Sequence, residues 1–283
     1  IPQHLRLSYE KMLVKGIREA SSKKIVIIGM VRDVEKNIPT IIEKVERLGR
    51  LFKDYLVLVV ENDSVDQTRK LLFRWRTNNP RVNILGCGVN SSDECKIPKT
   101  PKTNGHWVDR PRIEKMAMLR NLYLDYLKNS VNETEYPYSL VWDLDSLSVL
   151  YEDGLLHSLG VMVKDPSISV VCANGIFNWG IGTYFYDTYA YLEKGEKFSA
   201  GDKLAHDIRH GMLESQSSRG DDPVEVESCF SGATLYRTSE LVKANYDIPT
   251  DHLVCEHVAL HQRMTDVKKV MNPSMINLIL LNE

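Results

Sequence analysis

Two aspartates one residue apart, Asp143 and Asp145 in the run VWDLDS (141–146), follow directly on an apolar segment. Side chains alternate along an extended chain, so carboxylates at i and i+2 share a side. At a strand end such a pair can converge on one hard divalent cation, which takes oxygen ligands and keeps positions open for phosphates. The bland alternative is a solvated turn after an edge strand. The run VVENDSVDQT (59–68) stands at a similar place, and in open α/β sheets ligands bind beyond the carboxyl ends of strands. There Glu61, Asn62 and Asp63 are candidates to hydrogen-bond a base or ribose, whereas Asp66 and Thr68 read as turn and helix-cap residues. Arg32, just past an earlier apolar run, joins the same candidate set.

Further groups stand in RIEKMAMLRN (112–121), where Arg112 and Arg120 are eight apart and can border one side of a helix. A guanidinium donates in parallel and never loses its charge, which suits a diphosphate, although each arginine alone also reads as a surface residue. In CEHVALHQRM (255–264), Glu256 is a candidate acid–base group and His257 a candidate metal ligand. His257 and His261 have the spacing of a zinc pair, but no H-E-x-x-H accompanies them, and helix-surface histidines are the simpler reading. The stretch NGIFNWGIGTYFYDTYAY (174–191) can wall a sugar site, with Asp187 as its acid, or can be a glycine-hinged loop with aromatics tucked into the core.

The elements that must position these groups follow from hydrophobic spacing. Residues 5–19 repeat apolar positions at helical period and predict an N-terminal helix, which could be the end of a stem. Residues 24–30 form an apolar run suited to a strand buried on both faces. Asp33 stands where it could cap the helix predicted from Ile38 to Gly49. A second strand over 56–60, a helix over 66–77 and a strand over 82–85 complete β-α-β-α-β, the pattern of a parallel sheet with covering helices. Between 86 and 111 the pattern lapses, and KIPKTPK (96–102) reads as a mobile loop. Helical spacing returns over 113–127, and the strand 138–142 ends in the aspartate pair. A single α/β domain with a decorated second half is expected.

The chain has 36 Lys and Arg against 38 Asp and Glu, a net charge of −2, which argues against a general polyanion binder and hence against nucleic acid as a partner. No run of about 18 apolar residues is present, so no membrane span is expected within these residues. The five cysteines are scattered without a C-x-x-C pair; the odd count leaves at least one thiol outside any intrachain bridge, and Cys87 and Cys95 could pair or stay free. Sequons at Asn62, Asn90 and Asn132 leave the compartment open: a Golgi-type lumen if the chain is an excised piece, the cytoplasm if it is complete.

The ordered set ENDSVDQT, RIEKMAMLRN, YDTYA (186–190), VESCFSGATLYR (226–237) and CEHVALHQRM resembles the fungal capsule-associated α-1,3-mannosyltransferase family, a GT-A class of nucleotide-sugar glycosyltransferase, over roughly residues 25–265. The resemblance implies a GT-A fold: a mostly parallel, Rossmann-like central sheet flanked by helices. It places an N-terminal helix over 1–22, a nucleotide-binding half over about 23–146 and an acceptor-side half over about 147–283. It implies a metal-dependent transferase moving a sugar, with retention, from a nucleotide-sugar donor such as GDP-mannose to a glycan acceptor. Manganese or magnesium would be held by Asp143, Asp145 and His257. The donor would meet Arg32, Glu61, Asn62, Asp63, Arg112, Arg120 and Asp143, and Glu256 and Asp187 would serve the chemistry. The chain departs from the family in its stricter D-x-D, in Phe230 where a Trp is usual and in His257 where a Cys is usual. E-H-x-x-L-x-x-R (256–263) is also similar to the E-D-x-x-L-x-x-R segment of inverting GT-A enzymes, which would make Glu256 the general base. A non-catalytic glycan- or nucleotide-binding module on the same scaffold, or a nucleotidyltransferase, are the competing classes; the latter usually wants a glycine-rich phosphate loop, and only Gly29 is available near the first strand.

Overall fold

The computed structural model describes residues 1–88, 90, 92–94, 109–145, 148–179, 182–196 and 217–280. The predicted loop at 96–102 and Cys95 lie outside them. In the first half, β1 (Lys24–Val31), α2 (Ile38–Gly49), β2 (Asp54–Glu61), α3 (Thr68–Asn78), β3 (Val82–Gly86), α4 (Arg110–Ser130) and β4 (Tyr138–Trp142) follow the expected alternation, after α1 (Arg6–Ser22). Strands β1, β2, β3 and β4 pair in parallel, in the order β3-β2-β1-β4. The chain therefore winds outward from β1 and returns to its other side, leaving a topological switch point between β1 and β4, where such sheets bind ligands.

Along β1 the alternation is complete: Ile25 and Ile27 enter one core, Val26 and Ile28 the other, all fully buried. One core is closed by α1, α2, α3 and α5 (Glu152–Lys164), the other by α4 and by α7 (Glu256–Arg263). The N-terminal helix docks directly on α5. A Cβ on Gly16 would lie 1.6 Å from the Leu156 carbonyl oxygen, and one on Gly160 would lie 1.9 Å from that of Met12, so two glycines permit the backbones to touch.

The second half adds β5 (Ser148–Leu150), β6 (Ile168–Trp179), β7 (Gly182–Phe185), β8 (Leu192–Glu193), β9 (Val224–Ser228), β10 (Ala233–Arg237) and β11 (Lys268–Ile279), with the short α6 (Thr238–Leu241). The sheet continues β4-β10-β6-β11-β9-β8, with β5 on β11 and β7 on β6. β10 runs antiparallel to both β4 and β6, while β11 is parallel to β6. The expected α/β class with a mostly parallel central sheet stands. Within the stretch 174–191, β6 and β7 pair antiparallel over residues 176–179 and 182–185, and Phe177 and Tyr184 pack against each other across that ladder. A disulfide joins Cys172 of β6 to Cys229 just past β9; Cys87 is also disulfide-bonded, and Cys255 is free and buried. Among the described residues no helix is long and apolar enough to cross a membrane.

Candidate active site

Asp143 follows β4 directly, and its backbone N–H donates to the Gly232 carbonyl at 2.9 Å. Leu144 turns inward over Gly29, where a Cβ would sit 2.3 Å from its Cγ. The middle residue of D-x-D is thereby anchored in the core. Asp145 is exposed and Asp143 half-buried. Burial pushes the Asp143 carboxyl up to about 7; Arg120 opposes the rise, and Asp145 and Glu256 add to it.

Arg120 of α4 supplies the local positive charge. Its Nε donates to Glu256 Oε1 at 3.0 Å and its Nη2 to Asp143 Oδ1 at 3.5 Å, and its side chain is 4% exposed. Its guanidinium lies 5.1 Å from the Phe230 ring centre and 5.8 Å from that of Tyr246. Burial works against its charge, but Tyr123, Glu256 and Asp143 outweigh burial and hold its pKa well above the ordinary arginine value. Arg120 is thus the internal counter-ion of two carboxylates, and not the open phosphate fork that its helical spacing suggested.

Asp187 takes the left-handed backbone conformation, φ 67°, which a short polar side chain tolerates better than most. It accepts the Ser231 N–H at 3.2 Å, and burial, then Asp143 and Glu256, hold its carboxyl well above the usual range. Ser231 itself has φ 54° and belongs to the turn between β9 and β10. That turn is fixed on three sides: Cys229 by its disulfide, Ser231 O by Asn277 Nδ2 at 3.0 Å, and Gly232 O by Asp143. Gly232, at φ 75°, leaves no room for a side chain, since a Cβ would meet Asn277 Nδ2 at 2.6 Å. Asp143, Asp145, Asp187 and Glu256 therefore share a corner in which Arg120 is the buried cation.

On the β2 side, Glu61 is turned inward. It is 1% exposed, its Oε1 accepts the Ser64 N–H at 2.7 Å, and its Oε2 lies 3.9 Å from Arg69 Nε. Its Oε1 thereby shapes the turn, while its Oε2 is buried without a hydrogen-bond partner. Asn62 has a buried Oδ1 without a hydrogen-bond partner, and Asp63 stands at φ 58° with its N–H on Cys87 Sγ at 3.1 Å. Arg32 is 45% exposed and pairs with Asp33 at 3.3 Å. Asp33 does not cap α2; its Oδ1 accepts the Val65 N–H at 2.7 Å and ties the end of β1 to the β2 turn. Asp66 and Thr68 are structural as expected: Thr68 Oγ1 accepts the Val34 N–H at 2.7 Å, and Asp66 accepts the N–H groups of Thr68 and Glu35.

His257 lies flat against Phe230, ring centres 3.6 Å apart, with both nitrogens buried and without hydrogen-bond partners. Burial, then Arg120 and His261, depress its pKa far below the ordinary value, so it is neutral. Among the described residues no group of three or more His, Cys, Asp or Glu side chains is placed to hold a metal ion, so Asp143, Asp145 and His257 are not gathered as one ligand set. The zinc-pair reading of His257 and His261 falls as well. His261 Nδ1 meets Ser228 Oγ at 3.0 Å and accepts the Cys229 N–H at 3.4 Å, and its Nε2 meets Tyr236 OH at 3.0 Å.

Two groups at the site escaped the sequence reading. Burial, then Asp143, Asp187 and Asp145, raise the Tyr186 phenol, while Arg112 opposes them, so Tyr186 and the exposed Arg112 both border the carboxylates. Lys115, one helical turn past Arg112, has a buried Nζ without a hydrogen-bond partner. Its place three residues from Arg112 on an otherwise apolar face was the available signal.

A mostly parallel central sheet flanked by helices is the fold of the GT-A class of nucleotide-sugar glycosyltransferases, and the chain has that fold. The family model described as Cryptococcal mannosyltransferase 1 matches residues 24–268, and the chain belongs to that family. No curated protein matches it in sequence. Among solved structures, the mannosyltransferase PcManGT from Pyrobaculum calidifontis, in complex with GDP-Man and Mn2+, is 12% identical with a TM-score of 0.49, over 97% of this chain and 66% of that one. S. aureus TarS 1-349 is 14% identical with a TM-score of 0.46, over 90% of this chain and 60% of that one. TarS 1-349 in complex with UDP-GlcNAc is 13% identical at a TM-score of 0.47, over 92% and 59%. The chain thus spans about 60% of the length of the TarS fragment.

Proposed function

We propose that the chain transfers a sugar from a nucleoside-diphosphate sugar, GDP-mannose or another, to a hydroxyl of a glycan acceptor, with a divalent cation at Asp143 and Asp145. The observation that carries this reading is the corner of four carboxylates beyond β4 with Arg120 as its buried cation. The donor set fits manganese or magnesium: two carboxylates offer hard oxygens, and such ions complete their shell with substrate phosphates and water rather than an all-protein cage. When bound, the ion would neutralise charge growing on the departing diphosphate.

The protein's own groups do the rest. Arg112, on the exposed edge of α4, adds a fixed positive charge on the diphosphate side. Arg32, Asn62 and Asp63 border the nucleoside. Arg120 fixes Glu256 through a hydrogen bond of 3.0 Å. Placed there, Glu256 either accepts the acceptor proton, if the reaction inverts, or stabilises positive charge on the sugar, if it retains. Asp187 faces the same sugar position. His257 supports this group by stacking beneath Phe230, and remains a ligand candidate only if that ring turns. The Cys172–Cys229 disulfide supports an oxidising compartment.

The test is transfer, or donor hydrolysis, with a panel of nucleotide sugars and Mn2+. Asp145→Ala should abolish turnover without lowering thermal stability, because Asp145 is exposed. Full activity of that variant, or of the native chain in excess chelator, would refute the proposal. A non-catalytic module on this scaffold would bind donor and never turn it over.

A further inference from the structure

A cavity of about 220 Å3 lies at the end of the sheet away from the carboxylates. β6 and β11 run the same way as β4, because β10 is antiparallel to both β4 and β6, and β11 is parallel to β6. Asp143 follows the last residue of β4, whereas the cavity is lined by Ile168 and Lys268, the first residues of β6 and β11. β4 has five residues, so about 16 Å of strand separates the two places. The faces differ as well. Val161, Ile168 and Val270 of the lining belong to the core under α1 and α5, whereas Arg120 and Glu256 stand on α4 and α7, which close the other core.

One buried donor is aimed into this cavity. His157 of α5 lines it, is 3% exposed, and stacks on Tyr9 with ring centres 4.8 Å apart. The Ser274 N–H donates to Asn272 Oδ1 at 3.0 Å, which fixes the orientation of the amide. Asn272 Nδ2 therefore donates to His157 Nδ1 at 3.1 Å and to Ser158 Oγ at 2.8 Å. Burial, then Arg219, lower the imidazole to about 4, so the ring is neutral at pH 7. With Nδ1 accepting, the proton of the neutral ring sits on Nε2, and that N–H is left for a ligand in the cavity. Met12, Val161, Ile168 and Val270 supply an apolar wall. Around it stand Lys164 and Lys268 against Asp165, Asp221 and Asp222, a lining one negative charge from neutrality, with Lys268 paired to Asp165 at 3.1 Å. That balance does not suit an anion, and the interleaved signs do not suit a hydrocarbon. They suit a neutral polyol ring, whose C–H bonds meet the wall while its hydroxyls donate to carboxylates and accept from ammonium and imidazole N–H groups. The volume is below the roughly 300–1,000 Å3 of pockets that take drug-sized ligands, which limits the occupant to one ring. We infer that this cavity binds one neutral hexose unit, either a free sugar or a residue of a glycan chain, at a site separate from the carboxylate corner.

The test is titration of the 15N-labelled native chain, Ser8→Trp and His157→Phe with the methyl glycosides of mannose, glucose and galactose, read by amide NMR. Ser8 is an exposed lining residue of α1, so an indole there covers the cavity without entering the core. His157→Phe keeps a ring against Tyr9 and leaves Asn272 Nδ2 its bond to Ser158. At least one glycoside should shift the Ile168 and Gly220 signals saturably in the native chain. Ser8→Trp should abolish those shifts, and His157→Phe should weaken binding by about three- to tenfold, the worth of one neutral hydrogen bond. A disaccharide that binds more tightly than its monomer identifies the occupant as a glycan residue, and equal binding identifies it as a free sugar. No saturable shift with any glycoside, shifts undiminished in Ser8→Trp, saturation by inorganic phosphate in place of the sugars, or shifts confined to the neighbourhood of Asp143 and Asp145 would each overturn the inference. No nucleotide or metal enters the titration, so its result is independent of the transfer reading above.

Discussion

Replacing Arg120 with Met should be among the most damaging single changes in the protein. Arg120 is 4% exposed and faces two carboxylates, Glu256 at 3.0 Å and Asp143 at 3.5 Å, with Glu256 itself 10% exposed. Methionine fills much of the volume but leaves Glu256 buried and unpaired. Removing one partner of a buried pair costs about 3–5 kcal/mol, mostly the penalty of the charge left behind. The two ring contacts to Phe230 and Tyr246 add about 0.5–1 kcal/mol each where desolvation is partial. The expected loss is therefore on the order of 4–7 kcal/mol. Urea unfolding of the native chain, Arg120→Met, Glu256→Gln and the double variant gives the cycle. The double variant should recover at least about 2 kcal/mol relative to the sum of the singles, because neither charge is then stranded. An Arg120→Met loss below about 1 kcal/mol, or a coupling indistinguishable from zero, would refute the counter-ion role.

Three further outcomes are expected. Glu256→Gln should slow turnover strongly while changing donor affinity little; an unchanged turnover number eliminates Glu256 from the chemistry. Burial, then Arg219, lowers His157 to about 4, and burial, then Lys269, lowers His261 to about 3, both from 6.5. Because the folded values are depressed, the unfolded chain takes up protons first as pH falls. Their stabilisation is complete above about 6.5 and is lost between there and the folded values, with a slope of about 2 kcal/mol or more per pH unit near pH 5. A melting temperature that is flat from pH 7 to pH 5 would contradict this. Removing the disulfide as Cys172→Ala/Cys229→Ala should destabilise the protein by about 3–4 kcal/mol, from the 57-residue separation that it closes. Chemical denaturation checks it, and a loss below about 1 kcal/mol would show that the turn it anchors is held by other contacts.

The first half of the sheet was legible because its strands are apolar runs buried on both faces and its helices repeat at clean spacing. β11 was not. Its sequence, KKVMNPSMINLI, interrupts the apolar run with Asn272, Pro273, Ser274 and Asn277, and the register to β6 shifts between Met271 and Ile276. Those polar side chains are buried because distant partners satisfy them: Asn272 meets His157 and Ser158, Ser274 accepts the Gly220 N–H, and Asn277 meets Ser231. No local pattern announces a partner more than forty residues away. The same limit governed the site. The place of Asp143 directly past β4 was readable because the apolar run before it is local. The inward turn of Glu61 depends on Arg69 and Ser64, and the stacking of His257 depends on Phe230, which the sequence lists without saying that they meet.

The paired aspartates are tested most directly by titrating the native chain and Asp143→Asn/Asp145→Asn with a nucleoside diphosphate, with and without Mn2+. Binding that requires Mn2+ in the native chain and is lost in the double variant, at unchanged fold by circular dichroism, is the expected result. Nucleotide binding indifferent to both the metal and the two substitutions would contradict the assignment.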